Sequence, residues 1–482
     1  MRYFTACAVA AAVNAANLPS EQLDRLRALT NIGGVKDGFE SSATGGHVFT
    51  MESVRKYEGH RLDPQSLPDH FARPKEESMC EHWAVLTSIF DPTETVRQLG
   101  DMAGWCVVVV GDKNGPTEYV APGVTYLNPD DQDALPYRIG NILPWNHFGR
   151  KNVGYLYAVH HGAKVIYDVD DDNALIRPDE AIPHAEATEE NRLLLFHGDE
   201  SAVVHNPYPC FGGPGNVWPR GFPLDAINEK SSVPCGVLAE NKYRRKHRKA
   251  PRPLGVLQSL ANHDPDVDAI YRLTYPEGCL PFNFEDSAFS AGERPPKVVP
   301  DHSMTPYNAQ ATLHFPEAFW GMLLPVTVHG RVSDIWRSYF TQTLLPSVGA
   351  VVAFAPAWVE QVRNVHDYLA DFQAELPLYQ RSGALVAFLL EYRSKLDEID
   401  QSDGGFIPIM ERVEALAITM YEHGILEEAD VELTQAWLQD LWAVGYVPPV
   451  SDRNEAWKKI GGRLGPNLKV QEGETSVDHD GN

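Results

Sequence analysis

Apolar residues change their spacing along this chain, and the changes mark its elements. The run Trp83-Ala84-Val85-Leu86-Thr87-Ser88-Ile89-Phe90 is β-branched and aromatic, which predicts a strand, closed by Asp91-Pro92-Thr93 and followed by a short helix from Glu94 to Met102. A second strand is predicted from Trp105 to Val110, ending in Gly111-Asp112-Lys113. Pro129 to Gln132 and Leu135 to Trp145 read as helical, and Gly149-Arg150-Lys151 leads a helix that stops at Gly162. The pair His160-His161 near that stop reads as a favourable cation at a helix C-terminus, not a metal site. Next comes Ala163 to Asn173 (AKVIYDVDDDN), a short apolar run ending in acids. It predicts a buried strand that delivers carboxylates to the carboxyl edge of a sheet, where open α/β folds place their function. Further strands are predicted at Leu193 to Phe196 and Ala269 to Leu273. From Trp358 the spacing becomes helical, over Val359 to Phe372, Gly383 to Ile399, Ile407 to His423 and Asp430 to Trp442. Strands alternating with helices imply an α/β fold, with a mostly parallel, doubly wound sheet, helices on both faces and a helical C-terminal region.

Composition narrows the reading. The chain has 482 residues, 43% of them apolar and 10% aromatic, enough to bury a large core in one big or two moderate domains. Its 41 basic and 66 acidic residues give a net charge of −25, which disfavours nucleic acid as a partner. The basic run Lys242 to Arg252 (KYRRKHRKAPR) is the local exception, either a solvated loop or a patch for anionic membrane or a partner. No apolar run reaches the roughly 18 residues of a spanning helix, so no transmembrane segment is expected. Residues 1–16 have the charge, short apolar core and small-residue cleavage site of a secretory signal, and a plain helix is the alternative. Residues 17–80 read as a partly disordered extension, with order beginning at about Glu81. A catalytic domain is expected over 81–355, helices over 356–446, and a tail over 447–482 that is disordered towards its end. Six scattered cysteines show no C-x-x-C spacing; they allow one or two disulfides without demanding them.

The acids carry the candidate chemistry. Strand side chains alternate, so Asp168, Asp170 and Asp172 lean to one side, and Asp170 with Asp172 can share a hard cation such as Mn2+ or Mg2+. Two bland readings compete: a helix cap, and a calcium loop ending at Asp179, which Asn173 at the glycine position argues against. A nucleotide diphosphate-sugar needs a strand edge for its base, cations for phosphate and a metal for charge on the leaving diphosphate. Thr87, Ser88 and Asp112 suit the first task, Arg150 and Lys151 the second, and Asp170 with Asp172 the third, with Asp171 on the donor side. Together these describe the nucleotide-sugar half of a GT-A glycosyltransferase, although Asp112 also reads as a turn residue and Arg150 as a surface charge. The loop Asn206 to Pro223 is rich in Pro and Gly, and its Trp218 and Arg220 are placed to wall a sugar or meet phosphate; an ordinary structured loop explains the glycines almost as well. Asp264, Asp266 and Asp268 read equally as hydroxyl ligands or helix caps.

The stretches WCVVVVGDKNG (from Trp105), GRKNVGYLYAVHHGAKVIYDVDDDN (from Gly149), NPYPCFGGPGNVWPRGFP (from Asn206) and DPDVDAIYRL (from Asp264) resemble the STELLO family of glycosyltransferases, over roughly Glu81 to Tyr446. A fainter similarity runs to the reversibly glycosylated polypeptides, UDP-sugar mutases of the same fold. The resemblance implies a GT-A fold, a divalent metal at the acidic triplet, a UDP-linked or other nucleotide-sugar donor, a glycan or glycoprotein acceptor and residence in the Golgi. Plant members assist cellulose synthesis, which implies an accessory role for a polysaccharide synthase as the alternative function and a UDP-sugar mutase as a third. Those members carry an N-terminal membrane anchor, whereas here only a signal-like segment precedes the catalytic region. Gly330-Arg331-Val332-Ser333-Asp334-Ile335-Trp336 resembles the G-R-x-x-D-x-W segment of the mutases, and Trp218-Pro219-Arg220-Gly221 their R-G-Y-P segment. Asp334 is therefore the expected general base for the acceptor hydroxyl, with the N-cap of a helix starting at Ile335 as the alternative. His329 or His366 is a candidate third metal ligand, with a structural histidine as the alternative.

Overall fold

The computed structural model describes residues 39–41, 47–49, 53–63, 66–180 and, with interruptions, 182–449. The expected leader at 1–16, the basic run at 242–252, His366 and the tail from 450 lie outside the described residues. The chain passes through β1 (Phe39–Ser41), β2 (His47–Phe49), β3 (His82–Thr87), α1 (Glu94–Gly100), β4 (Cys106–Val110), β5 (Val124–Leu127) and α2 (Pro129–Ala134). It continues through α3 (Lys151–His160), β6 (Val165–Val169), β7 (Asn173–Leu175), β8 (Leu194–His197), β9 (Gly236–Val237), β10 (Leu254–His263) and α4 (Ala269–Thr274). Last come β11 (Lys297–Val298), β12 (Ala311–His314), α5 (Gly330–Leu344), β13 (Val351–Gln361), α6 (Tyr368–Ala374), α7 (Leu376–Gln401), α8 (Ile409–Glu422) and α9 (Glu428–Ala443).

Eleven of these strands form one sheet in the order β5-β4-β3-β6-β12-β10-β13-β11-β8-β9, with β7 on the far end of β13. Strands β5, β4, β3 and β6 are mutually parallel. The chain moves outwards from β3 to β5 and then returns to lay β6 on the other side of β3. That reversal is a topological switch point, and it opens a crevice at the carboxyl ends of β3 and β6. Beyond β6 the sheet is mixed: β12 is antiparallel to both β6 and β10, and β13 is parallel to β10. Parallel pairing recurs at β10–β13 and β11–β8, so the mostly parallel sheet that was expected is instead an even mixture of parallel and antiparallel pairs.

Alternating side chains divide the strands between two cores. Val85, Val108 and Val110 face α3, where they meet Val153 and Leu156. Ala84, Leu86, Val107 and Val109 face α1, where they meet Val96 and Leu99. Thr93 starts α1 by accepting the Val96 amide, a side-chain cap.

Three local expectations are corrected. Ala269 to Leu273 is helix α4, because Asp268 caps it by accepting the Tyr271 amide at 2.8 Å. Val359 to Gln361 ends β13, held by its ladder with β10, and the helix begins only at Tyr368. Order begins before Glu81. Residues 53–63 and 66–72 lie along α8 and α9: Arg55 donates to Tyr421 O at 2.6 Å and stacks over the Tyr421 ring, the His70 ring stacks on Trp442, and the Phe71 amide donates to Ala443 O at 2.7 Å. Cys80 and Cys106 form a disulfide across 26 residues, and Cys210 is disulfide-bonded to a cysteine outside the described residues. Among the described residues no helix is long and apolar enough to cross a membrane.

Candidate functional site

Two threads tie the acidic loop after β6 to the strand across the switch point. The Ser88 hydroxyl, just beyond β3, donates to Asp171 Oδ2 at 2.5 Å, and the Thr93 hydroxyl donates to the Asp171 carbonyl at 2.6 Å. Thr87 is the last residue of β3 and pairs with Val110. With Asp171 spent on the loop's own fold, Asp170 and Asp172 flank it at the mouth of the crevice.

Asp168, still within β6, is fully buried. It meets Lys151 Nζ at 2.7 Å and Arg337 Nη1 at 3.0 Å. Burial opposes its charge, but Lys151 and Arg337 outweigh that and hold its carboxyl well below the usual range. His314, 3.7 Å away, is pushed down to about 4 chiefly by burial and stays neutral. Lys151 also donates to Asp170 Oδ1 at 3.2 Å and to the carbonyls of Val169 and Ala309, so it is a buried brace behind the loop. Asp170 is pushed up to about 7, first by loss of hydration and then by Asp172 and Asp168, against the pull of Lys151. Because 37% of its side-chain surface meets solvent, hydration tempers that shift.

The other expected donor contacts are turned inwards. Arg150 is 1% exposed; it grips Gln132 Oε1 at 2.6 and 3.0 Å and the carbonyls of Gly140 and Leu143, beneath the Trp145 ring. Asp112 accepts the amides of Lys113, Asn146 and His147 with its two oxygens, which shapes the loop that carries Trp145. His160 and His161 are held below the usual imidazole value by burial, so the expected helix-end cation is a neutral pair.

A second polar cluster joins the 206–223 loop to α5. Arg220 makes paired contacts to Asp266 at 2.8 and 3.1 Å and to Asp334 at 2.8 and 3.1 Å, and its fifth N–H donates to the Arg331 carbonyl, which exhausts its planar fork. Asp334 accepts two further amides, from Ile335 and Ala309. Helix α5 begins at Gly330 with His329 as its N-cap, so Asp334 sits inside the helix and caps nothing. Trp218 donates to Asp268 Oδ2 at 2.6 Å. Beside this cluster lies a small indentation whose wall includes Tyr208, Gln258, Asn308 and Gln310.

The cation question turns on Asp172. Its Oδ2 accepts from Gln361 at 3.2 Å, whereas Oδ1 is buried with no partner. An orphaned carboxylate oxygen beside the accessible Asp170 fits one edge of a magnesium or manganese shell, which takes one or two carboxylates and fills the rest with water and phosphate oxygens. Among the described residues no three His, Cys, Asp or Glu side chains form a closed cage.

The sequence signature of the STELLO glycosyltransferases matches residues 331–456. Over 378 residues the chain is 35% identical to "Probable glycosyltransferase STELLO2" of Arabidopsis thaliana, covering 77% of this chain and 46% of that protein. With "Probable glycosyltransferase STELLO1" of the same plant it shares 34% over 392 residues, 80% of this chain and 47% of that protein. This chain belongs to the STELLO family. It spans about half the length of the curated relatives it matches.

The STELLO signature takes in α5, β13 and the helices behind them, and so includes both Asp334 and Gln361. The sequence of this STELLO chain did not mark Thr93 and Gln361 as holding the acidic loop, and Asp266, read as a hydroxyl ligand or a cap, instead shares Arg220 with Asp334. Thr93 was visible as a cap signal after Asp91-Pro92; Gln361 carried no local signal at all.

Proposed function

We propose that this chain binds a nucleotide sugar, UDP-linked, in the switch-point crevice with a divalent cation, and transfers the sugar to a glycan or glycoprotein acceptor. The observation that carries the reading is the Asp170–Asp172 loop, tied to β3 through Ser88 while Asp172 Oδ1 is left buried without a partner. When bound, Mn2+ or Mg2+ would supply charge for the departing diphosphate. Asp170 and Asp172 would hold it, Lys151 would brace the loop from behind, and Ser88 would fix the loop's approach to the base-binding strand edge. The disulfides support a secretory compartment such as the Golgi lumen. The test is calorimetric titration of UDP and UDP-sugars with and without Mn2+. Metal-dependent binding, weakened at least about tenfold by Asp172→Asn, is expected on the scale of a lost ligand. A wild-type chain that takes up no UDP under either condition overturns the reading.

One observation favours a second reading. Each oxygen of Asp334 already accepts two hydrogen bonds, so it can take an acceptor proton only after the Arg220 clamp opens. A chain that binds donor but turns over slowly would serve as an accessory factor for a polysaccharide synthase. UDP-sugar binding without transfer or hydrolysis would identify that case.

A further inference from the structure

Between the acidic loop and the Arg220–Asp334 pair runs an unbroken chain of side-chain amides. Gln361 Nε2 donates to Asp172 Oδ2 at 3.2 Å, Gln310 Nε2 donates to Gln361 Oε1, and Asn308 Nδ2 donates to Gln310 Oε1 at 3.3 Å and to Asp266 Oδ2 at 2.7 Å. Asp266 in turn holds Arg220, and Arg220 holds Asp334. Gln361, Gln310 and Asn308 are 6%, 6% and 8% exposed, so water is a poor substitute for any link.

The order of donors in this relay is forced. Both ends are carboxylates, which only accept when ionised, and each amide offers one accepting oxygen and one donating nitrogen. Three amides in a row between two acceptors require one of them to donate in both directions. Asn308 does so, with both hydrogens of one nitrogen. From there Gln310 must donate towards Gln361, and Gln361 must donate towards Asp172. Gln361 is thereby fixed with its nitrogen on Oδ2, and Asp172 keeps Oδ1 free.

We infer that Gln361 is a positioning residue that presents Asp172 to the cation, and that Gln310 and Asn308 fix its orientation. This rests on the donor-site reading above. Strand geometry supports it: Gln361 is the last residue of β13 and lies opposite Asn173, the residue after Asp172, in the β7 ladder. A rigid strand end therefore anchors the loop from one side while Ser88 and Thr93 anchor it from the other.

The test uses Mn2+ as the probe, titrated into the full chain alone and with UDP, and followed by the electron paramagnetic resonance of free Mn2+. Gln361→Met keeps the length and removes the donor; it is expected to weaken Mn2+ binding by about 10- to 100-fold, the usual effect of losing an outer hydrogen-bond partner of a metal ligand. Gln310→Leu, one link further away, is expected to weaken it less. Gln98→Leu supplies the structural control, because Gln98 accepts the Leu175 amide of β7 and lies off the relay; it should lower the melting temperature and leave Mn2+ affinity unchanged. Mn2+ bound equally by wild type and Gln361→Met overturns the inference while the donor-site reading stands. Mn2+ bound by neither, with or without UDP, overturns both.

Discussion

Asp168 and Asp268 are both buried acids, and their surroundings drive them in opposite directions. Asp168 has two cations and stays ionised. Asp268 has none in contact; burial first, then Glu375 and Asp266, push it up to about 7, although the Tyr271 amide and Trp218 pull the other way. The native state thus holds this proton far more tightly than an unfolded aspartate, whose value lies near 3.9. Its contribution to stability is full below about pH 4 and is lost as pH rises through about 7. Urea titrations at pH 5 and pH 8 should show the wild type losing more stability across that interval than Asp268→Asn. Equal losses would mean that Asp268 is ionised throughout. At this scale sequence reveals charge but not depth. Arg150 and Lys151 read as phosphate cations, yet one grips carbonyls and Gln132 under Trp145 and the other is the buried partner of two aspartates. The acidic triplet was legible because strand and acids are adjacent in the chain. The amides that orient it were not, since Gln361 stands 189 positions from Asp172 and no local pattern marks it.

Among the elements, those decided by neighbours in sequence were legible and those decided across the sheet were not. Strands β3, β4 and β6 announce themselves as short runs dominated by β-branched and aromatic residues. Strands β10 and β13 carry Gln258, Ser259 and Pro356 in their interiors, and their assignment comes from long-range parallel pairing with each other. Ala269 to Leu273 has a strand-like composition, but one carboxylate at Asp268 satisfies a helix N-terminus and settles the matter. Helix α3 depends on a missing side chain. A Cβ at Gly154 would meet Val85 Cγ1 at 2.6 Å and Val110 Cγ2 at 2.8 Å, so glycine lets the helix lie close on β3 and β4. Gly154→Leu should cost about 1–3 kcal/mol through overpacking, measured as a lower urea midpoint at unchanged slope. Because Lys151 rides on the same helix, the substitution should also weaken Mn2+-dependent UDP binding.

At the scale of the whole molecule, an early segment is held by the helices that follow the sheet. Residues 53–63 and 66–80 run past α8 and α9 to Cys80, whose disulfide to Cys106 fastens them to the first residue of β4, at the amino edge of the sheet and away from the crevice. A loop of that size predicts a stabilisation of about 3–4 kcal/mol. The Cys80→Ser, Cys106→Ser double variant should unfold at correspondingly lower urea, and a midpoint equal to the wild type's would show that the bond does not constrain the unfolded chain. Composition had marked this segment as loose because its glycines and polar residues carry no periodicity. Its partners are backbone carbonyls and rings more than 360 positions away, which no local window can contain.

That arrangement has a consequence for how the protein is made. Arg55 leaves the ribosome long before Tyr421, the residue 366 positions later whose carbonyl it holds. Throughout synthesis the early segment must wait without its partners while the sheet assembles behind it. Helices α8 and α9 are the ones that receive it, so this part of the chain locks only after they have been made, and a product truncated before them, however well its sheet has formed, lacks the surface that would let it close.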